Sequence, residues 1–249
     1  SYESGKKLDY LTRSLKVGEE INDKIGIGHS LRKLGLIYYQ LEGGYDIALD
    51  YFTRSLKIRE KIDDKSEMGH ILQNIGYLYK KMVIDDKALD YFTRSLKIRE
   101  EVDDKIGMAW ALKGSGVVYQ EKGDLNIALD YYSRALDIFD KNGNSFGTEY
   151  IIKLIGRVYF DKGNYKKAHE HLKKVFASQK EIGNEPLLIH VLETTTYLYL
   201  TYKHLGKDYD TNEIHKLIKE TEHIEFDLNY CLYELLEDTS YLETAYNQV

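Results

Sequence analysis

LDYFTRSLKIRE occupies residues 49–60, and the same twelve residues return unchanged at 89–100. Weaker copies flank them, LDYLTRSLKVGE from Leu8 and LDYYSRALDIFD from Leu129. A second element alternates with the first: LGLIY at 34–38, IGYLY at 75–79, SGVVY at 115–119 and IGRVY at 155–159. Its glycines, Gly35, Gly76, Gly116 and Gly156, are spaced 41, 40 and 40, whereas Ala48, Ala88, Ala128 and Ala168 are spaced 40 throughout. The one extra residue therefore lies between Gly35 and Ala48, most simply in a turn at Glu42, Gly43 and Gly44. A fixed period of this length marks a stacked architecture in which each unit buries its apolar face only against its neighbours.

Each unit reads as two helices. In the second unit Met68, Ile71, Leu72, Ile75, Leu78, Tyr79 and Met82 recur at the spacing of one apolar helix face. Asp64 to Glu67 before them has the form of a capping box, with Asp64 placed to accept from free backbone N–H groups. The following helix carries Ala88, Leu89, Phe92, Leu96 and Ile98, with small residues such as Ala88 and Ser95 where helices must approach closely. Asp50/Arg54, Asp90/Arg94 and Asp130/Arg134 are i, i+4 pairs with the acid first, which suits surface scaffolding.

Leu31, Leu34, Gly35, Tyr38, Ala48, Phe52 and Ser55 form a pattern that resembles the tetratricopeptide repeat. It recurs as Leu72, Ile75, Gly76, Tyr79, Ala88, Phe92 and Ser95. The unit here is longer than the usual one and is similar to the 40-residue variety of Pins-type polarity scaffolds and microbial signalling arrays. The resemblance implies an all-α fold, a right-handed α-solenoid of antiparallel helix pairs spanning 1–249 as a single array. Its expected parts are a half repeat at 2–21, full repeats at 24–61, 64–101, 104–141 and 144–181, a degenerate repeat at 185–222 and a capping helix at 226–249. The degenerate repeat keeps the register at Thr196 but has Asp208 at the alanine position. Phe226, Leu232, Leu235, Leu236 and Leu242 give the last helix an apolar face. In the half repeat, Leu8, Leu11 and Leu15 are expected to be covered on one side only.

Composition narrows the function. The 249 residues carry 35 Lys plus Arg and 41 Asp plus Glu, a formal charge of −6, and phosphate-rich partners need the opposite balance. No apolar run approaches the ~20 residues of a membrane span, so neither a nucleic-acid nor a membrane partner is expected. Only Pro186 interrupts the helical pattern. The lone Cys231 permits no internal disulfide and suits a reducing, cytoplasmic compartment.

The packing stripe of the first unit is Leu31, Leu34, Tyr38 and Leu41. A second stripe, His29, Arg32, Leu36 and Tyr39, is offset by two residues, about 200° on a helix, and points away from it. Its equivalents are His70, Gln73, Tyr77 and Lys80; Trp110, Lys113, Val117 and Gln120; Tyr150, Lys153, Arg157 and Phe160; and His190, Glu193, Tyr197 and Leu200. The adjacent position adds Lys33, Asn74, Gly114, Leu154 and Thr194. The family resemblance implies that these positions line a concave partner-binding groove. Arg32, Lys33, Lys80, Lys113, Lys153 and Arg157 face a single acid, Glu193, with Tyr77, Trp110, Tyr150 and Phe160 among them. Aromatic and arginine side chains are common binding anchors, and the cations suit carboxylates. The expected ligand is a protein or peptide segment bearing acidic and apolar side chains.

Other chemistries find little footing. His169 and His171 are about 200° apart on a helix and cannot chelate one ion from one face. His29, His70 and His190 share a repeat position with no carboxylate or thiolate to complete a metal site. The recurrent Tyr38, Tyr79, Tyr119 and Tyr159 read as packing residues. No phosphate-binding glycine loop or acid–base pair over a cleft is evident, Cys231 reads as a buried thiol, and neither catalysis nor a cofactor is expected. A protein-interaction scaffold is the first reading. A ligand- or peptide-sensing module of a larger signalling protein, and self-association through residues 2–20, are the alternatives.

Overall fold

The computed structural model describes residues 2–41, 43–182, 188–221, 224 and 226–247. Glu42, Pro186 and the first residues of the expected 185–222 repeat lie outside the described residues. Thirteen helices and no strands occur among those described. The chain divides into two compact units, Ser1–Asn144 and Ser145–Val249.

In the first unit, α1 (Tyr2–Glu20) packs on α2 (Lys24–Tyr39). Three hairpins follow: α2 with α3 (Tyr45–Lys61), α4 (Lys65–Lys81) with α5 (Asp85–Glu101), and α6 (Lys105–Glu121) with α7 (Leu125–Lys141). The connections are short, so paired helices run antiparallel. First helices approach one another, α2 to α4 and α4 to α6, and form an inner layer. The second helices α3, α5 and α7 form the outer one.

The recurrent glycines are explained by what lies over them. A Cβ on Gly76 would meet the Phe92 ring at 2.8 Å, and one on Gly116 would meet the Tyr132 ring at 2.5 Å. The aromatic of each second helix thus lies against bare backbone of the first. Ser55 and Ser95 reinforce the crossing by donating to the carbonyls of Gly28 and Gly69, at 2.7 and 2.8 Å. Around these crossings Phe52, Ile71, Ile75, Leu78 and Phe92 are buried with Ala48 and Ala88. Leu31 and Leu34 are buried as expected, but Leu41 is exposed because it lies beyond the end of α2. The recurrent tyrosines stack on the neighbouring helix, Tyr38 on Tyr51, Tyr79 on Tyr91 and Tyr119 on Tyr131, at 5.4–5.6 Å. The Asp50/Arg54, Asp90/Arg94 and Asp130/Arg134 pairs form on the surface at 3.5–3.8 Å.

Asp23, Asp64 and Asp104 accept from the N–H groups of Gly26, Glu67 and Gly107, capping α2, α4 and α6. The reciprocal half of the capping box is not made, because the Glu67 carboxylate pairs with Arg32 instead. On α1, Leu15 is buried against Ile27, Leu31 and Leu34, whereas Tyr10 and Val17 are exposed, as is Ile21 in the turn that follows.

The second unit opens with the hairpin of α8 (Ser145–Asp161) and α9 (Tyr165–Ile182). Helix α10 (Leu188–His204) packs on α9, α11 (Thr211–Glu220) and α12 (Phe226–Leu236). Four buried threonines of α10, Thr194, Thr195, Thr196 and Thr201, return their hydroxyls to carbonyls one turn back. The expected continuous helix over the C-terminal segment is divided. It stops at Leu236 and resumes as α13 (Thr239–Tyr246). Glu237 takes a positive φ of 59°, which ends the first helix, and Asp238 accepts from Ser240 N–H at 3.0 Å to start the next. Leu232 and Leu235 are buried and Leu236 is half-buried, while the side chains of Phe226 and Leu242 lie outside the described set.

Helices in both units end in a left-handed residue, with Gly123 at φ 81° and Gly163 at φ 70°. Val83 occupies the same repeat position with φ 57° and 81 % exposure. A β-branched residue is strained there and packs against little. Val83→Gly is expected to raise stability by about 1 kcal/mol, measured by urea unfolding.

Candidate functional site

The inner layer of the first unit carries the expected stripe. Arg32, Lys33, Leu36, Tyr39, Gln73, Asn74, Tyr77, Lys80, Trp110, Lys113, Val117 and Gln120 are half-buried, and His29 and His70 are exposed. The charge balance differs from the sequence expectation of a single facing acid. Arg32 pairs with Glu67 at 2.9 Å, and Lys80 pairs with Glu121. These acids stand at the ends of α4 and α6, outside the stripe, but long side chains bridge the gap. Lys33 makes no ion pair among the described residues.

Two buried arginines that the stripe omits prove central. Arg59 on α3 donates from Nη1 to Asp64 at 2.7 Å and from Nη2 to the Ile25 carbonyl at 3.0 Å. Arg99 on α5, 2 % exposed, binds Asp104 and reaches through to the inner layer. There its Nη2 meets His70 Nδ1 at 3.1 Å and Gln73 Oε1 at 3.0 Å. A guanidinium can only donate, so His70 Nδ1 accepts the bond, and partial desolvation of the ring together with the Arg99 charge lowers the His70 pKa. His29 is lowered in the same way by burial and by Arg32.

The third full repeat and its junction with the fourth abandon this arrangement at three positions together. Trp110 replaces the histidine, Phe139 the arginine and Asn144 the aspartate. Trp110 packs edge-on against Phe139, with ring centroids 4.9 Å apart. The Lys113 ammonium lies 5.0 Å from the Tyr77 ring centre and 5.9 Å from that of Trp110, and donates to the Tyr77 hydroxyl at 3.4 Å. Tyr77 itself packs edge-on against Phe92 at 4.9 Å, and burial pushes its pKa up to about 12. The inner layer thus changes from a charged relay on α4 to an aromatic wall with one ammonium on α6. The sequence signal was available: Arg59, Arg99 and Phe139 recur at period 40, each five residues before Asp64, Asp104 and Asn144.

In the second unit the expected cations converge on one acid. Lys153 is 3 % exposed and pairs with Glu193, which also accepts from Arg157 Nη1 at 2.6 Å. Lys153 further lies over Tyr150 at 4.8 Å, and Arg157 over Tyr197 at 4.8 Å. Phe160 packs edge-on against Tyr165 and Tyr197. Burial alone would raise the Glu193 pKa, but the His190 hydrogen bond and the Lys153 and Arg157 charges hold it well below the usual carboxylate range. Burial pushes the Cys231 thiol up to about 11, although Arg157 lies close enough to act against the shift. Among the described residues, no group of three or more His, Cys, Asp and Glu side chains is placed to hold a metal ion. No described helix is long and apolar enough to cross a membrane.

Helix hairpins repeated at 40 residues, with glycine against an aromatic or leucine side chain at each crossing, define a helical-repeat protein. A family model for the tetratricopeptide repeat matches residues 27–101, 67–141 and 108–181, more than half of the chain. The chain belongs to the tetratricopeptide repeat family. No curated protein matches its sequence. Its fold is similar to that of BtubC (BKLC) from P. vanneervenii, with a TM-score of 0.72 and 18% identity over 87% of this chain and 88% of that one. It is also similar to aspartyl phosphate phosphatase F from Bacillus subtilis, with a TM-score of 0.76 and 16% identity, covering 99% of this chain and 63% of that one. A Rap protein complexed with competence and sporulation factor gives a TM-score of 0.73 and 18% identity, covering 98% of this chain and 67% of that one.

Glu193→Gln leaves the buried Lys153 and the half-buried Arg157 without their counter-charge and is expected to destabilise the fold by about 3 kcal/mol in urea unfolding. Because folding lowers the Glu193 pKa, its stabilisation is complete above the ordinary carboxyl range and is lost as pH falls towards the folded value. The stability of the Gln variant should therefore fall less steeply below about pH 4 than that of the parent. Arg99→Phe alone should cost about 2 kcal/mol, since it leaves His70 and Gln73 without the guanidinium and Asp104 with only its helix-cap donor. Adding His70→Trp and Asp104→Asn should recover most of that loss, measured as non-additivity of the combined variant.

Proposed function

We propose that the protein is an interaction module whose inner layer on α2, α4 and α6 binds a segment of a partner protein carrying apolar and acidic side chains. The observation that carries this reading is the Lys113 ammonium set between the Tyr77 and Trp110 rings on a half-buried surface. Aromatic faces supply apolar contact area with little side-chain entropy to lose, and the ammonium adds a preference for an anionic neighbour. Lys33 on α2 extends the positive character of the same layer. Membership of the tetratricopeptide repeat family supports a binding role over a catalytic one. Lys153 and Arg157, tied to Glu193, act as supports of the second unit in this reading.

A second reading, a sensing module within a larger signalling protein, is favoured by the likeness to the Rap protein complexed with competence and sporulation factor. Here a bound peptide would change which protein partner the chain holds. A third, self-association through residues 2–20, draws on the exposed Tyr10 and Val17 of α1.

An immobilised peptide library screened with the parent chain and with a Lys113→Glu variant tests the first reading. Peptides combining acidic and apolar residues should be retained by the parent, change the emission of Trp110 (the only tryptophan) and bind the variant about tenfold or more weakly. Equal binding by both proteins, or binding without any change in emission, would remove the inner layer from consideration. A peptide that displaces a co-purifying protein would favour the sensing reading, and a dimer mass in light scattering the third.

A further inference from the structure

A cavity of about 430 Å³ opens on the outer layer of the first unit, between α5 and α7 and above α6. Leu96, Met108, Leu112 and Ile138 make an apolar floor, within the size range of sites that accept a bulky side chain or small ligand. One repeat earlier, the equivalent floor positions are Leu56, Met68, Leu72 and Ile98, which keep the same character. The rim does not. Ser133 stands where the other second helices have Thr53 and Thr93, and Asp137 where they have Lys57 and Lys97. One change removes a methyl group and the other reverses a charge, both at the mouth of the same cavity.

The rim is anionic in its available groups. The Glu100 carboxylate makes no hydrogen bond or ion pair among the described residues. Asp137 holds Lys141 at 2.8 Å, but both side chains are well exposed, and such an i, i+4 pair exchanges readily for a better-placed cation. Arg134, the one cation lining the cavity, is drawn aside by Asp130 and by the Tyr131 ring.

We infer that this crevice is a second docking site, which takes an aliphatic side chain flanked by lysine or arginine on a partner protein. The floor excludes water around the aliphatic group, while Glu100 and Asp137 receive the flanking cations. The site faces away from the inner layer and has the opposite charge preference. It therefore stands whether or not the inner-layer reading holds.

The three methionines provide the test. Met108 lines the cavity, Met68 lines the equivalent position one repeat earlier, and Met82 follows α4. With methyl-labelled methionine, the protein is titrated with an acetylated, amidated pentapeptide of central leucine between two arginines and terminal glycines. The Met108 methyl resonance should move saturably while Met68, Met82 and the Trp110 emission stay in place. Replacing the arginines by glutamates, or the leucine by alanine, should abolish the shift. Asp137→Lys, which restores the residue found at Lys57 and Lys97 and so keeps the helix, should weaken binding about fivefold or more. Four results would overturn the proposal: a Met108 resonance that does not move, Met68 and Met108 moving alike, a concurrent change in Trp110 emission, or undiminished binding by Asp137→Lys.

Discussion

An aspartate with two oxygens and two tasks sets the relation between successive helix pairs in the first unit. One oxygen of Asp64 accepts from the first turn of α4, and the other binds Nη1 of Arg59, whose Nη2 reaches the Ile25 carbonyl on α2. Asp104 does the same between α5 and α6 for Arg99. A helix start leaves N–H groups without partners, and a buried guanidinium needs acceptors as well. Meeting both needs with one side chain fixes where the next helix begins and how it faces the previous hairpin. Phe139 in place of the arginine removes one need, and the acid becomes Asn144 with it. The residues that join repeats therefore also decide what the inner layer displays, since Arg99 continues to His70 and Phe139 to Trp110.

The hairpins were legible because their packing needs few residue types in fixed register. Glycine lies beneath an aromatic, alanine at the closest crossing and leucine or isoleucine between. The departures lie where the decisive interaction is local and not periodic. Glu237 in a left-handed conformation divides the C-terminal helix, and nothing in the spacing of Leu232, Leu235 and Leu236 announces it. Leu41 continued the apolar periodicity of α2, but the helix had ended two residues before it.

The candidate surface was legible in direction and not in charge. Helical geometry shows which way Arg32, Lys80, Lys153 and Arg157 point, but not how far they reach. Each found an acid: Glu67, Glu121 or Glu193. Only Glu193 belonged to the stripe itself, where Arg32, Gln73, Lys113 and Lys153 stand in the other repeats, and it draws Lys153 and Arg157 together into one ion-pair cluster. Arg59 and Arg99 escaped notice for the complementary reason. They sit on second helices, and only a side chain long enough to cross the hairpin brings them to the inner layer.

The identity of α3 and α5 over residues 49–60 and 89–100 bears on how the chain reaches this arrangement. Each helix buries a phenylalanine over a glycine and sends a serine to a backbone carbonyl of its own first helix, Gly28 for Ser55 and Gly69 for Ser95. During collapse the later copy can satisfy the earlier hairpin, with the intervening segment looped out as an insertion. Side chains beyond the shared stretch then distinguish correct from misregistered docking. Arg59 and Arg99 belong to that stretch and are interchangeable, so the discrimination falls to the residues just before it, Tyr45 and Ile47 on α3 against Asp85 and Lys87 on α5. The first turn of each outer helix thus acts as a proofreading code for a scaffold whose remaining outer surface is interchangeable.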